Sequence, residues 1–330
     1  MSLTAQTFHV GAVPQVVPLT EADAASVAEI ALGLLGVAGG VVDNPEWVAA
    51  TREAWDELPI ALRRAVRRFR RDSGPQGTLL LRGLPVGLDT LGDTPMVAGS
   101  VQREATVGAA VLAMIASGLG DPAAFLPEKS GALVQDVVPV PGKETFQGNA
   151  GSVLLSFHNE NAFHQHRPDY VMLLCLRSDH EGIAGLRTAC VRQVLDLLSQ
   201  RSREALSRKE FITEAPPSFG DGSEPVAHAV LTGCADDPDL RVDFAATQPQ
   251  TEAGSAALVE LGELFEQTAT SSALTPGDLA IVDNHVTVHG RTAFTPRYDG
   301  RDRWLQRTFS LTGLRRSRAS RPGDGYVLVD

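Results

Sequence analysis

Cysteine is scarce in this chain: Cys175, Cys190 and Cys234 are the only three in 330 residues. An odd, scattered set excludes a disulfide framework and a thiolate metal site, and it fits a reducing cytoplasm. Long hydrophobic runs are missing too. The longest mostly apolar segment, Thr106 to Gly120, is too short to span a bilayer. The N-terminus lacks a basic start followed by an apolar stretch and a cleavage site, so a secreted product is not expected. Excess positive charge is also absent. A net charge of −11 argues against nucleic acid or an anionic membrane as the main partner. Arg63, Arg64, Arg67, Arg68, Arg70 and Arg71 surround Leu62, Val66 and Phe69 at helical spacing, which predicts a solvated helix face. The tail's Arg315, Arg316, Arg318 and Arg321 read as solvated in the same way. The expectation is a soluble cytoplasmic protein with no obligate protein partner.

The first third reads helical. Thr20 and Asn44 are N-cap candidates, and Pro45 suits a first helical position. Ala25, Ile30 and Leu34 form one apolar stripe; Trp47 and Trp55 extend a second. Gly74-Pro75 closes this block, Thr78–Leu81 reads as a short buried strand, and a helix is predicted from about Val107 to Ser117. After residue 130 short runs rich in β-branched residues alternate with Gly, Pro, Asn and Asp. They are Ala132–Val140, Ser152–Phe157, Tyr170–Leu176, Leu186–Val191, Leu240–Phe244, Leu279–Val282 and Trp304–Leu311. Many short strands with turn punctuation predict a sandwich or jelly roll rather than βαβ units. Helices are expected near Arg192–Ser199 and Ser255–Thr268. Phe211 to Glu224 reads as an exposed loop and candidate lid. With no repeat or low-complexity linker, 1–330 reads as one domain: a helical part to 120, a β core over 121–312 and a tail from 313.

Ligand chemistry has to be argued from spacing. His158-Asn159-Glu160 follows a strand, and alternate residues of an extended chain point to one side, so His158 and Glu160 can grip one ion while Asn159 faces away. Eight histidines give about one such triplet by chance, so the triplet alone is weak. Further along, Asp283 to Arg291 follows the strand Leu279–Val282 and contains His285 and His289. One of these added to the triplet gives two imidazoles and a carboxylate, a facial triad that leaves room on iron(II) for a bidentate co-substrate and dioxygen. Arg303 would open the next strand, where its guanidinium can clamp the far carboxylate of 2-oxoglutarate. Its spacing selects His289 over His285. A zinc site drawn from His158, His164 and His166 is the rival, although no H-E-x-x-H or cysteine pair supports it. His9, His180 and His228 are read as structural.

Those residues carry a resemblance. Phe157-His158-Asn159-Glu160, Arg167 to Leu173, Asp283-Asn284 and Trp304 to Arg307 resemble the clavaminate synthase-like iron/2-oxoglutarate oxygenases. So do Phe69 to Pro75, Leu81 to Pro85, Leu126 to Lys129, Val134 to Pro139 and Phe146 to Gly151. Within that group the chain is similar to the oxygenases that hydroxylate free L-asparagine at Cβ for nonribosomal peptide synthesis. The resemblance implies a double-stranded β-helix flanked by helices. It implies His158, Glu160 and His289 as iron ligands and Arg303 as the 2-oxoglutarate anchor. It further implies Arg307 for the substrate α-carboxylate, Glu128 and Gln147 for the α-amino group, and Asn149 and Asp243 for the side-chain amide. A ligating Glu160 implies hydroxylation rather than halogenation, which needs that position vacant. The rivals are the same chemistry on aspartate, glutamine, arginine or a nonproteinogenic amino acid, a zinc-dependent hydrolase or isomerase on a cupin-like barrel, and a non-enzymatic ligand-binding barrel.

Overall fold

The helix starts follow from their caps. In the computed structural model, which describes residues 14–220 and 226–330, Thr20 Oγ1 accepts from the Asp23 amide at 3.1 Å and opens α1, Glu21–Gly33. Asn44 Oδ1 accepts from the Glu46 amide at 2.9 Å and opens α2, Pro45–Glu57. Pro45 sits in the first turn, where an amide N–H would have no partner anyway. α1 buries Val27, Ala31 and Leu34; Ala25, expected on the buried stripe, is exposed. α3, Ile60–Arg71, buries Leu62, Ala65, Val66 and Phe69 and turns its arginines outward, as their spacing predicts. α4, Val107–Leu119, is apolar all round and accordingly lies under the other three helices.

The strands run in chain order as β1 Gln15–Pro18, β2 Thr78–Arg82, β3 Asp121–Phe125, β4 Gln135–Val137, β5 Leu155–His158, β6 Tyr170–Arg177 and β7 Leu186–Cys190. There follow β8 Phe211–Thr213, β9 Leu231–Cys234, β10 Asp237–Leu240, β11 Thr247–Pro249 and β12 Thr270–Ser272. The last are β13 Leu279–Asp283, β14 Thr287–Arg291, β15 Trp304–Leu311 and β16 Val327–Leu328. The large sheet has the order β1-β2-β13-β6-β15-β3-β16, with β4 also on β15; the small sheet is β12-β7-β14-β5.

Side-chain alternation assigns the faces. Met172, Leu174 and Leu176 of β6 pack on the α4 side, while Val171, Leu173 and Cys175 face inward with Leu305 and Phe309 of β15. Leu186 joins that inner layer from the small sheet. Outside the small sheet, Phe157 and Val288 pack against Leu261 and Phe265 of α7, Glu252–Thr268. Two largely antiparallel sheets thus face each other with helices on both flanks, a mainly β fold consistent with the expected jelly-roll core.

Four local expectations change. The exposed loop expected at Phe211–Glu224 begins instead as β8, Phe211–Thr213, which pairs with β11 and buries Phe211 and Thr213. The helix expected near Arg192–Ser199 shrinks to α5, Val191–Val194, and a separate helix not expected from sequence, α6, Gln200–Leu206, follows; Ser199 caps it by accepting from the Ser202 amide at 3.2 Å. The strand expected at Leu240–Phe244 is reduced to the end of β10 at Leu240 and an isolated bridge that pairs Asp243 with His158. Asp243 Oδ1 accepts from the Ala245 amide at 2.8 Å, an Asx-type bend that turns the chain. In the tail, Arg321 is buried rather than solvated and donates to Ser317 Oγ and to the carbonyl oxygens of Leu314 and Gly325. His9 and residues 221–224 of the expected lid lie outside the described residues.

Candidate metal centre and its cleft

β5 and β14 are neighbours in the small sheet, and His158 lies directly opposite His289. Phe157 and Val288 occupy the outer face, so both histidines are delivered to the inner one. Their rings stand 4.3 Å apart between centroids. Glu160 follows two residues after His158, and its Oε2 lies 3.6 Å from His289 Nε2. Ligand atoms of the three residues all fall within 4.8 Å of one another. His158 Nδ1 lies 2.9 Å from the Ser156 carbonyl oxygen, which can only accept, so the proton sits on Nδ1 and Nε2 is left as a ligand.

The chain between the ligands is braced by two asparagines. Asn159 faces away from the site, donates to the carbonyl oxygens of Asn284 (2.9 Å) and Thr287 (3.1 Å), and accepts from the Val242 amide at 2.9 Å. Asn284 accepts from the Glu160 amide at 2.8 Å and donates to the carbonyl oxygens of Glu160 (3.0 Å) and Pro168 (2.8 Å). Neither brace has a role assigned from sequence; the signal available is a polar residue inside the triplet and another five residues before His289. Gly290 serves the same junction, since a Cβ there would sit 2.5 Å from the Leu155 carbonyl oxygen.

Burial pushes the Glu160 carboxyl up, but the Arg307 guanidinium and the two imidazoles outweigh it and hold Glu160 well below the usual carboxylate range. Burial, aided by His158, lowers His289 below its ordinary value. Glu160 Oε2 and His289 Nδ1 are buried with no hydrogen-bond partner among the described residues. The bare Glu160 carboxylate oxygen, standing beside His289 Nε2, fits a cation. Two nitrogens and one oxygen are the donor set of an iron(II) site with open positions.

The rival histidines are engaged elsewhere. His285 Nε2 pairs with Asp169 Oδ1 at 2.6 Å. His164 uses Nε2 on the Asp330 carbonyl oxygen (3.0 Å) and Nδ1 on the His166 amide (3.0 Å), so the His158–His164–His166 set does not assemble. His228 bonds Thr213 Oγ1 at 2.8 Å. Among the described residues the other ligand-type group is His180, Asp299 and Asp302, where Asp302 accepts from the Arg297 and Tyr298 amides and braces a loop.

A narrow cleft leads from the three ligands inward between the sheets, past Val137, Leu173, Leu186 and Leu305, to Arg291 and Arg303. Arg303 is buried, and among the described residues its guanidinium has no carboxylate or hydrogen-bond partner; it lies 6.0 Å from the Phe294 ring centroid. Burial and Arg303 pull Arg291 down to about 9. On the other side a cavity of about 620 Å³ is lined by Glu128, Gln147, Asn149, Asp243 and Arg307, and by Glu214 to Phe219 of the expected lid. All five substrate candidates therefore meet, from four separate stretches of chain.

Within that cavity the candidates already interact. Arg307 Nη1 donates to Glu160 Oε1 at 2.8 Å, and Nη2 donates to Glu128 and Gln135. With its amide oxygen turned to Arg307, Asn149 accepts from both terminal nitrogens at 3.0 and 3.2 Å. Burial raises the Glu128 carboxyl against the pull of Arg307. Gln147 spends its amide on the Leu154 carbonyl oxygen (2.9 Å) and the Ser156 amide (3.2 Å). No helix among the described residues is long and apolar enough to cross a membrane.

Comparison with known proteins agrees with this geometry. Residues 75–309 match the taurine catabolism dioxygenase TauD, TfdA family. The chain is 65% identical to L-asparagine oxygenase of Streptomyces coelicolor over 313 residues, 94% of each protein. It is 35% identical to clavaminate synthase 2 of Streptomyces clavuligerus, covering 83% of this chain and 84% of that one. Among solved structures, asparagine oxygenase in complex with Fe(II), 2S,3S-3-hydroxyasparagine and succinate superposes with a TM-score of 0.93 at 64% identity, over 96% of this chain and 99% of that one.

Proposed function

This chain belongs to the TauD, TfdA family of dioxygenases, and on that premise we propose that it hydroxylates free L-asparagine at Cβ to 3-hydroxy-L-asparagine, for nonribosomal peptide synthesis in the cytoplasm. Its cofactor is iron(II), with 2-oxoglutarate and dioxygen as co-substrates. The observation that carries the reading is that two cavities share His158, Glu160, Asn149 and Arg307 as lining, one of them reaching His289 and unpaired Arg303 and the other reaching Asp243. The likeness to L-asparagine oxygenase supports it. The whole of 1–330 acts as one oxygenase domain.

His158, Glu160 and His289 hold iron(II), and Arg303 holds the far carboxylate of 2-oxoglutarate. Bound there with dioxygen, the pair supplies the oxidising power that replaces C–H by C–OH, with succinate and carbon dioxide as co-products. The chain's own task is to choose the carbon. Arg307 receives the substrate α-carboxylate while Glu128 and Gln147 receive the α-amino group. Asp243 spends one oxygen on Ala245 and keeps the other to accept from an amide NH₂. Asn149, its oxygen on Arg307, turns its NH₂ toward the amide carbonyl. A side-chain carboxylate would meet Asp243 as a like charge. The segment Glu214–Phe219 closes over the cavity and keeps bulk water out.

The test is an amino-acid panel with the iron-loaded enzyme, scored by a mass gain of one oxygen and by succinate released. L-asparagine is expected to lead, with aspartate far behind. Preference for another amino acid would overturn the substrate, and no stimulated succinate from any amino acid would overturn the enzyme reading.

A further inference from the structure

Arg303 is not the only buried cation in the inner cleft. Arg291 lies two residues beyond His289 on β14 and projects from the same face of that strand. It is 4% exposed, and among the described residues its one hydrogen bond runs from Nη2 to the Val153 carbonyl oxygen at 3.0 Å. Its Nε is buried with no partner. Both guanidinium carbons lie near the same ring: Phe294, at 5.2 Å for Arg291 and 6.0 Å for Arg303. That ring offers a weak cation–π contact to each and fixes where both sit. Two buried positive charges in one cleft, neither in a salt bridge among the described residues, repel each other and are costly unless an anion joins them.

We infer that Arg291 is a second arginine of the co-substrate site, binding with Arg303 the far carboxylate of a 2-oxo diacid. The inference rests on the proposed function, in which His289 holds the metal and Arg303 the far carboxylate. The spacing supports it: two strand residues span about 6.6 Å, which is on the order of the length of a five-carbon diacid chelating beside His289. The arrangement is chemically selective, because an acyclic 2-oxo monoacid leaves both guanidiniums buried and unpaired, while a diacid satisfies them together. Arg291 therefore sets the preference for a dicarboxylic co-substrate as well as its affinity.

The test is calorimetric binding to the anaerobic iron(II)-loaded enzyme, without turnover, of 2-oxoglutarate and of 2-oxopentanoate, which has the same chain and no far carboxylate. Arg291→Met is expected to weaken 2-oxoglutarate by roughly tenfold or more and to leave 2-oxopentanoate unchanged. Arg291→Lys, which keeps the charge and loses the fork, is expected to fall between and serves if the methionine variant does not fold. Equal weakening of both acids, or unchanged 2-oxoglutarate binding in either folded variant, overturns the inference. Arg303→Met separates the two readings. If it abolishes 2-oxoglutarate binding while Arg291 variants bind normally, the proposed function stands and this inference alone falls. If neither arginine matters, both fall.

Discussion

On the proposed function Asp243 has to tell an amide from a carboxylate, and Oδ2 is the oxygen that Ala245 leaves it. Replacing it by asparagine keeps the size and removes the like-charge repulsion toward aspartate. Asp243→Asn is expected to lower kcat/KM for asparagine by roughly tenfold and to raise the aspartate-to-asparagine ratio by roughly a hundredfold. Competition between the two substrates, with products separated by mass, measures that ratio directly; an unchanged ratio removes Asp243 from the amide-reading role. At this scale the legible part of the site was what strand alternation exposes. His158 and Glu160 share a side, Asn159 takes the other, and Arg303 opens the strand after His289. The engagement of His285 by Asp169 was not legible, since the partners stand 116 residues apart and meet through the fold.

The element that decides the candidate metal site is the β5–β14 pair. Its register puts His289 opposite His158, and the bulge between His289 and Arg291 brings backbone against backbone at Gly290. A methyl at that position has to displace β5 or β14. Gly290→Ala is expected to cost about 1–3 kcal/mol of stability and to weaken metal binding by roughly tenfold to a hundredfold. Thermal unfolding of the metal-free protein and metal titration read the two effects separately; full metal affinity in the variant would mean the close approach does not position the ligands. Strand and helix content was largely readable from alternation, capping and turn residues, as β15 and α4 show. The failures were at places where a side chain competes with the backbone: Ser199 capping a helix not expected from sequence and Asp243 bending the chain within one expected strand.

Across the whole molecule, Asp169 ties together pieces that are distant in sequence. Its carboxylate accepts from His285 Nε2 at 2.6 Å, from the Thr312 amide at 2.6 Å and from Thr312 Oγ1 at 2.8 Å, joining the start of β6, the loop before β14 and the end of β15. Burial pushes this carboxyl up, but those donors outweigh it and its folded pKa lies below the ordinary value. A depressed carboxylate contributes stability that is fully present above the unfolded pKa and is lost as pH falls through the folded one. The stability gap between the protein and Asp169→Asn is therefore expected to be constant near neutrality and to shrink below about pH 4. Urea unfolding at a series of pH values checks this, and a gap that does not narrow in acid would mean the carboxylate charge is not what binds these pieces.

The sequence by itself determined the class of chemistry, because a two-histidine, one-carboxylate triad with a following arginine depends on residue types and on a period of two along extended chain. It also determined the mainly β character, because turn residues and β-branched runs act locally. Only the tertiary structure decided which groups share the cavity. Glu128, Asn149, Asp243 and Arg307 come from different segments, and their meeting depends on how two sheets close over each other. Only the structure, too, showed Arg291 beside Arg303 with no salt bridge to either among the described residues. A buried cation that lacks its anion is a property of surroundings, and no local pattern of residues records it.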